Sequence, residues 1–224
     1  MPKFMIAVTA SLLASASAAQ APVTGTADTN QRCAAMSSQA LGPDVKVTAA
    51  NHVAAGPLNL SAPGQPAQSV ALPAHCKIEG MINQRTGKDG KRYGIGFAIA
   101  LPDNWNGRFL LMGGGGLNGS VHPPIGPVAA GDTPALARGF AVLSHDSGHK
   151  GPVFDSSFMA DQRATLDFAE ASVKTVALLG KAIAGSYYGK PVAHSYMTGC
   201  STGGREGMLA SQRYPELFDG IIVG

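Results

Sequence analysis

The 224-residue sequence predicts an α/β protein built on a doubly wound, mainly parallel sheet. Three observations carry that expectation. From Phe140 onward, apolar strand patterns alternate with helical ones in the order strand, helix, strand, helix, strand. Near the end, a short apolar run meets the pattern G-x-S-x-G, and a helix-forming stretch follows at once. Hydrophobic residues make up 45% of the chain and charged residues 14%, which suits one domain with a real core and excludes a disordered chain.

Composition also bounds the partners. The net charge is +3 with no Lys/Arg cluster, so nothing points to nucleic acid. Residues Met1 to about Ala21 read as a secretory signal: Lys3, an apolar run from Phe4 to Leu13, and Ala16-Ser17-Ala18 as a cleavage site. That run is too short to cross a bilayer and no later segment is longer, so no membrane partner is expected. The protein is expected to be secreted or periplasmic, where disulfides persist. Nothing in the sequence bears on oligomeric state.

Taken in order, residues 22–32 read as a disordered tail and Cys33 to Leu41 as a short helix ended by Gly42-Pro43. Val45–Val47 and Ala49–Leu60 alternate weakly, as edge strands do, and residues 61–66 form a surface loop. Cys76–Asn83 and Tyr93–Leu101 are stronger strands, joined by a hairpin loop at Thr86–Gly90, with Tyr93, Ile95, Phe97, Ile99 and Leu101 on one face. Arg108–Met112 is a continuous apolar run, as a central parallel strand requires. Thr133–Arg138 is a helix candidate with Gly139 past its end, and Phe140–Ser144 a buried strand. Asp161–Tyr188 is the longest helical pattern. Its stripe runs through Ala164, Phe168, Ala171, Thr175, Leu178 and Ala182, widened by Val173, Val176, Leu179 and Ile183. Gly189-Lys190-Pro191 ends it. Pro191–Thr198 and Gly220–Val223 are the last strands, with a helix from Arg205 stopped by Pro215 between them.

The stretch Gly199-Cys200-Ser201-Thr202-Gly203-Gly204-Arg205, followed by Gln212-Arg213-Tyr214-Pro215 and Phe218-Asp219-Gly220-Ile221-Ile222, resembles the tannase and feruloyl esterase family. The resemblance covers about residues 33–224. It implies an α/β-hydrolase fold, with residues 33–224 as the N-terminal part of a catalytic domain, incomplete at the C-terminus because the lid domain and last strands are absent. It implies a serine esterase acting on a small aromatic acyl ester, with Ser201 as nucleophile. Cys200 matches a cysteine that, in the family, is bonded to one just after the catalytic histidine. Its partner is therefore expected beyond Gly224, leaving Cys200 unpaired here. The lid is also where the family often carries calcium.

Other motifs are weighed from the residues. Gly113–Gly116 follow a strand, and such a loop supplies half of an oxyanion hole, expected here from Gly114 or Gly115 together with Thr202. Gly114, Gly116 and Gly119 also satisfy G-x-G-x-x-G, but that fingerprint must open a helix and Val121-His122-Pro123-Pro124 cannot. His145 and His149 stand four apart, yet after a strand rather than on a helix, so a positioning role is expected and no metal site. No cofactor motif occurs in this portion. Cys33 and Cys76 are predicted to form a disulfide stapling the N-terminal region to the sheet. A serine needs a base and an orienting acid, yet all six histidines (52, 75, 122, 145, 149, 194) precede Ser201. The chain is thus expected to be an inactive fragment of a longer enzyme. An acyltransferase or peptidase on the same nucleophile elbow, the strand-to-helix turn that G-x-S-x-G places at Ser201, and a secreted remnant or binding protein, remain open alternatives.

Overall fold

The computed structural model describes residues 26–60, 68–126 and 133–224. The predicted signal segment and the 61–66 loop lie outside those residues. In chain order the elements are α1 (Thr26–Ala35), β1 (Val45–Val53), β2 (Gly56–Leu60), β3 (Gln68–Leu72), β4 (His75–Thr86), β5 (Arg92–Pro102), β6 (Arg108–Met112), β7 (Ala141–His145), α2 (Gln162–Leu166), α3 (Ser172–Tyr188), β8 (His194–Gly199), α4 (Thr202–Arg213) and β9 (Gly220–Val223). Seven strands form one mixed sheet in the order β1-β4-β5-β7-β6-β8-β9. The first three neighbouring pairs are antiparallel; β7, β6, β8 and β9 run parallel. β2 and β3 make a separate antiparallel pair.

Strand alternation sorts the apolar side chains between the two faces. Ile95, Phe97, Ile99 and Leu101 of β5, Phe109 and Leu111 of β6 and Ala141 and Leu143 of β7 join the main core with Val173, Val176, Ile183 and Tyr187 of α3. Ala100, Leu110 and Val142 point the other way, into a smaller cluster with Ala135 and Leu136. Tyr93 leaves the predicted face and packs with Phe158, Ala164 and Phe168. The β4–β5 register shifts between Ile82 and Arg85 just opposite it. Cys33 and Cys76 are fully buried and bonded as predicted, with Cα atoms 5.4 Å apart. Among the described residues no helix is long and apolar enough to cross a membrane.

Three expectations change. Residues 26–32, assigned to a disordered tail, are helical, and the helix ends at Ala35 rather than running to Leu41. The buried disulfide at Cys33 anchors a segment whose composition alone does not predict order. Thr133–Arg138 forms turns, with Gly139 at φ 82°, rather than a helix. In the long helical pattern, Leu178 is 47% exposed and Ala182 is also exposed, while the second, widening stripe is the buried one. The reason is a π turn at Asp167–Ala171 between α2 and α3. One extra residue per turn rotates everything after it by about 100°. The stripe begun by Ala164 and Phe168 therefore continues through Val173, Val176 and Ile183. Asp161 caps α2, accepting the Ala164 N–H at 2.9 Å, and Gly189 closes α3 at φ 66°.

Candidate active site

β8 ends at Gly199 and α4 begins at Thr202, so Ser201 stands between a parallel strand and a helix. Its φ of 57° and ψ of −117° are an unfavourable backbone conformation for a side-chain-bearing residue. Such a conformation persists only where its surroundings fix it. The Ser201 N–H donates to the Gly224 carbonyl at 2.9 Å, and its carbonyl accepts the Arg205 N–H at 3.0 Å. The surrounding glycines are required by contact. A Cβ on Gly203 would lie 2.6 Å from the Gly114 carbonyl oxygen, and one on Gly204 2.5 Å from that of Gly224. Ser201 is exposed, and among the described residues its hydroxyl makes no hydrogen bond. Cys200 beside it is an exposed free thiol.

The glycine loop lies against the first turn of α4. The Gly113 N–H donates to Thr198 O at 2.8 Å, and the Leu117 N–H to Thr202 Oγ1 at 3.1 Å. Gly116, Leu117, Asn118 and Gly119 follow one another at φ 56°, 66°, 57° and 84°. That left-handed run opens no helix, consistent with the rejection of a dinucleotide fingerprint. The Gly114 N–H is taken up by Glu206 Oε2 at 3.0 Å. The N–H groups of Gly115 and Thr202 have no such partner among the described residues.

Beneath the elbow, the segment His145–His149 is entirely buried. The fully buried Glu206 accepts from Asn118 Nδ2 at 2.8 Å and from the Ser147 hydroxyl at 2.7 Å, both at Oε1. His145 Nδ1 accepts the Ser147 N–H at 3.2 Å, so the neutral ring carries its proton on Nε2, 3.6 Å from Glu206 Oε2. Burial pushes the His145 imidazole below its ordinary pKa, and the nearby Glu206 opposes this. Asp146 Oδ1 accepts the N–H groups of Gly96 at 2.8 Å and Gly148 at 3.0 Å; burial nevertheless raises its carboxyl to about 7. His149 stacks on Phe158 with centroids 3.6 Å apart, and burial lowers it to about 4. Among the described residues no three His, Cys, Asp or Glu side chains gather as a metal site.

Sequence spacing assigns His145 and His149 a positioning role but does not join them to Asn118 and Glu206. One signal in the sequence does point there. The buried residues of α4 are Gly203, Gly204, Glu206, Gly207 and Ala210, so a lone carboxylate stands on a face otherwise made of glycine and alanine.

The sheet order, the strained serine between β8 and α4 and the glycine loop after β6 define an α/β-hydrolase. The chain belongs to the family described as "Tannase and feruloyl esterase", which matches residues 76–224. It is 43% identical over 166 residues to mono(2-hydroxyethyl) terephthalate hydrolase of Piscinibacter sakaiensis, covering 70% of this chain and 28% of that protein. It is 34% identical over 199 residues to a probable feruloyl esterase B-2 of Aspergillus flavus, covering 84% and 36%. The crystal structure of feruloyl esterase B from Aspergillus oryzae matches with a TM-score of 0.69 at 30% identity, over 88% of this chain and 37% of that one. Tannin acyl hydrolase from Aspergillus niger shares the fold, with a TM-score of 0.60 at 23% identity over 87% and 36%. The chain thus spans roughly a third of the length of these relatives.

Proposed function

We propose that Ser201 is the nucleophile of a secreted carboxylic-ester hydrolase that acts on aromatic acyl esters. The observation that carries this reading is the strained Ser201, its hydroxyl unbonded and exposed between β8 and α4. In this reading Ser201 Oγ attacks the ester carbonyl carbon and passes its proton to a base. The tetrahedral oxyanion is held by the N–H groups of Thr202 and Gly115, since that of Gly114 is engaged by Glu206. The alcohol leaves with the proton, and water then releases the acid from the acyl-enzyme. Losing one oxyanion donor costs about 3 kcal/mol of transition-state stabilisation. The base and its acid are taken to come from outside these 224 residues, so this chain alone is expected to be almost inactive. The aromatic acyl preference is supported by two relatives whose names specify a terephthalate ester and a feruloyl ester. Residues 1–21 are read as the export signal, in keeping with the buried Cys33–Cys76 bond.

The test is to express the full reading frame and assay methyl ferulate and methyl gallate with wild type and Ser201→Ala. The wild type is expected to release acid and alcohol, and Ser201→Ala to lose at least a thousandfold in kcat (from about 10³ upward when a nucleophile is removed). Activity that survives Ser201→Ala would end the nucleophile reading.

A further inference from the structure

We infer that Glu206 is a positioning residue for the oxyanion loop, holding Gly113–Asn118, which leads into the left-handed turn, against α4 so that the Gly115 N–H faces the Ser201 side of the site. This rests on the esterase reading above. The loop needs an external hold. Leu117 and Asn118 both lie at positive φ, where a side-chain-bearing residue stays only if its surroundings over-determine it. Glu206 supplies two attachments from a single carboxyl. Oε2 takes the Gly114 N–H at 3.0 Å and Oε1 takes Asn118 Nδ2 at 2.8 Å, so both ends of the turn hang on the first turns of α4. The other groups at the carboxyl are also donors: Ser147 Oγ at 2.7 Å, and His145 Nε2 facing Oε2 at 3.6 Å. The Gly114 N–H is a fixed donor that demands an acceptor at Oε2, and Asn118 and Ser147 as oriented here present donors to Oε1. Glu206 is wholly buried and five residues past Ser201, so it acts through the loop rather than on the ester. The loop is fitted to this arrangement, because a Cβ on Gly114 would overlap the Asn118 side chain.

Glu206→Gln keeps the shape but replaces one acceptor with an amide NH2. With the Asn118 amide held as it is here, Nδ2 toward the carboxyl, hydrogens meet hydrogens at Gly114 or at Asn118 whichever way the new amide turns. The experiment uses the full reading frame with methyl ferulate as substrate. Active sites are counted by the endpoint of fluorophosphonate labelling, and phenylboronic acid probes tetrahedral adduct formation. Per labelled site, Glu206→Gln is expected to lose about 30- to 100-fold in kcat, with KM within twofold and phenylboronic acid inhibition weakened in parallel. An unchanged kcat per labelled site, or a raised KM with kcat kept, overturns the inference. If Glu206→Gln does not fold, Asn118→Ala removes one attachment and is expected to lose roughly 5- to 20-fold in kcat, on the same scale of partial donor misplacement; full kcat in that variant overturns it too. An inactive wild type removes the esterase reading and this inference with it, whereas an active wild type with an unaffected Glu206→Gln removes this inference alone.

Discussion

A Cβ built on Gly113 would lie 2.7 Å from the Cα of Gly203, so the chain leaving β6 and the first turn of α4 meet backbone to backbone. Neither side has a flexible side-chain end that could move away. Gly203→Ala is therefore expected to cost about 3 kcal/mol or more, at the upper end of overpacking penalties. Urea unfolding measures it, and a variant within 1 kcal/mol of wild type would mean that the two segments can separate freely.

The Cys33–Cys76 bond closes a loop of sequence separation 43. In the chain-entropy model a loop of that length contributes about 4 kcal/mol. Replacing both cysteines with alanine should lower the unfolding free energy by roughly that amount and loosen α1 first, because Cys33 is its deep anchor. Hydrogen exchange along Thr26–Ala35 reports the second effect directly, and unchanged protection there would show that α1 is held by other contacts.

Asp146 makes stability fall with rising pH. Its carboxyl titrates near 7 when folded, against about 3.9 in an unfolded chain. Between those values the unfolded chain has released the proton and the fold still binds it, so stability declines from about pH 4 to about pH 7 and levels off above. His149 acts in the opposite sense. It titrates near 4 when folded, against about 6.5 unfolded, so its contribution is complete above 6.5 and is lost as pH falls towards 4. Comparing wild type with Asp146→Asn cancels the histidine. The variant should gain roughly 3 kcal/mol relative to wild type as pH is raised from 4.5 to 8. A difference that stays flat with pH would show that Asp146 is ionised throughout.

Arg205 ties the elbow helix to the π turn. Its guanidinium donates to Phe168 O at 2.8 Å and Ala169 O at 2.9 Å and lies 4.4 Å over the Phe168 ring. A π turn leaves carbonyls without their usual helical partners, and a planar fork satisfies two at once. Arg205→Lys is expected to cost about 1 to 2 kcal/mol, because an ammonium group cannot serve both oxygens and stack as well. Thermal unfolding of Arg205→Lys beside Arg205→Ala tests this; a lysine variant as stable as wild type would reduce the contact to a single charge.

What was legible in the sequence follows from how far apart the interacting residues lie. Strand β6, the elbow and the turn after it are written in contiguous residues, and Arg108–Met112 and Gly199–Gly203 could be assigned locally. The phase of α3 is not legible because nothing in Asp167-Phe168-Ala169-Glu170-Ala171 announces an extra residue in the turn; two of its carbonyls are taken up by Arg205, from a distant segment. The polar cluster was hidden for the same reason. Asn118 and Glu206 are 88 residues apart, and Ser147 and Glu206 are 59 apart, so no window of sequence contains the pair. Order in residues 26–32 is not legible in their composition, because the bond that ties α1 to the sheet joins Cys33 to Cys76, 43 positions away.

The π turn lets one continuous rod serve two masters. Up to its first residues, Ala164 and Phe168 close the aromatic nest around His149 and Phe158; after it, Val173, Val176 and Ile183 seal the sheet. Removing a single residue from 167–171 would turn the two halves into phase with each other, and only one of those surfaces could then be covered. The length of this segment is thus set as firmly as its composition. Among the described residues it is a place where the protein counts residues rather than choosing them.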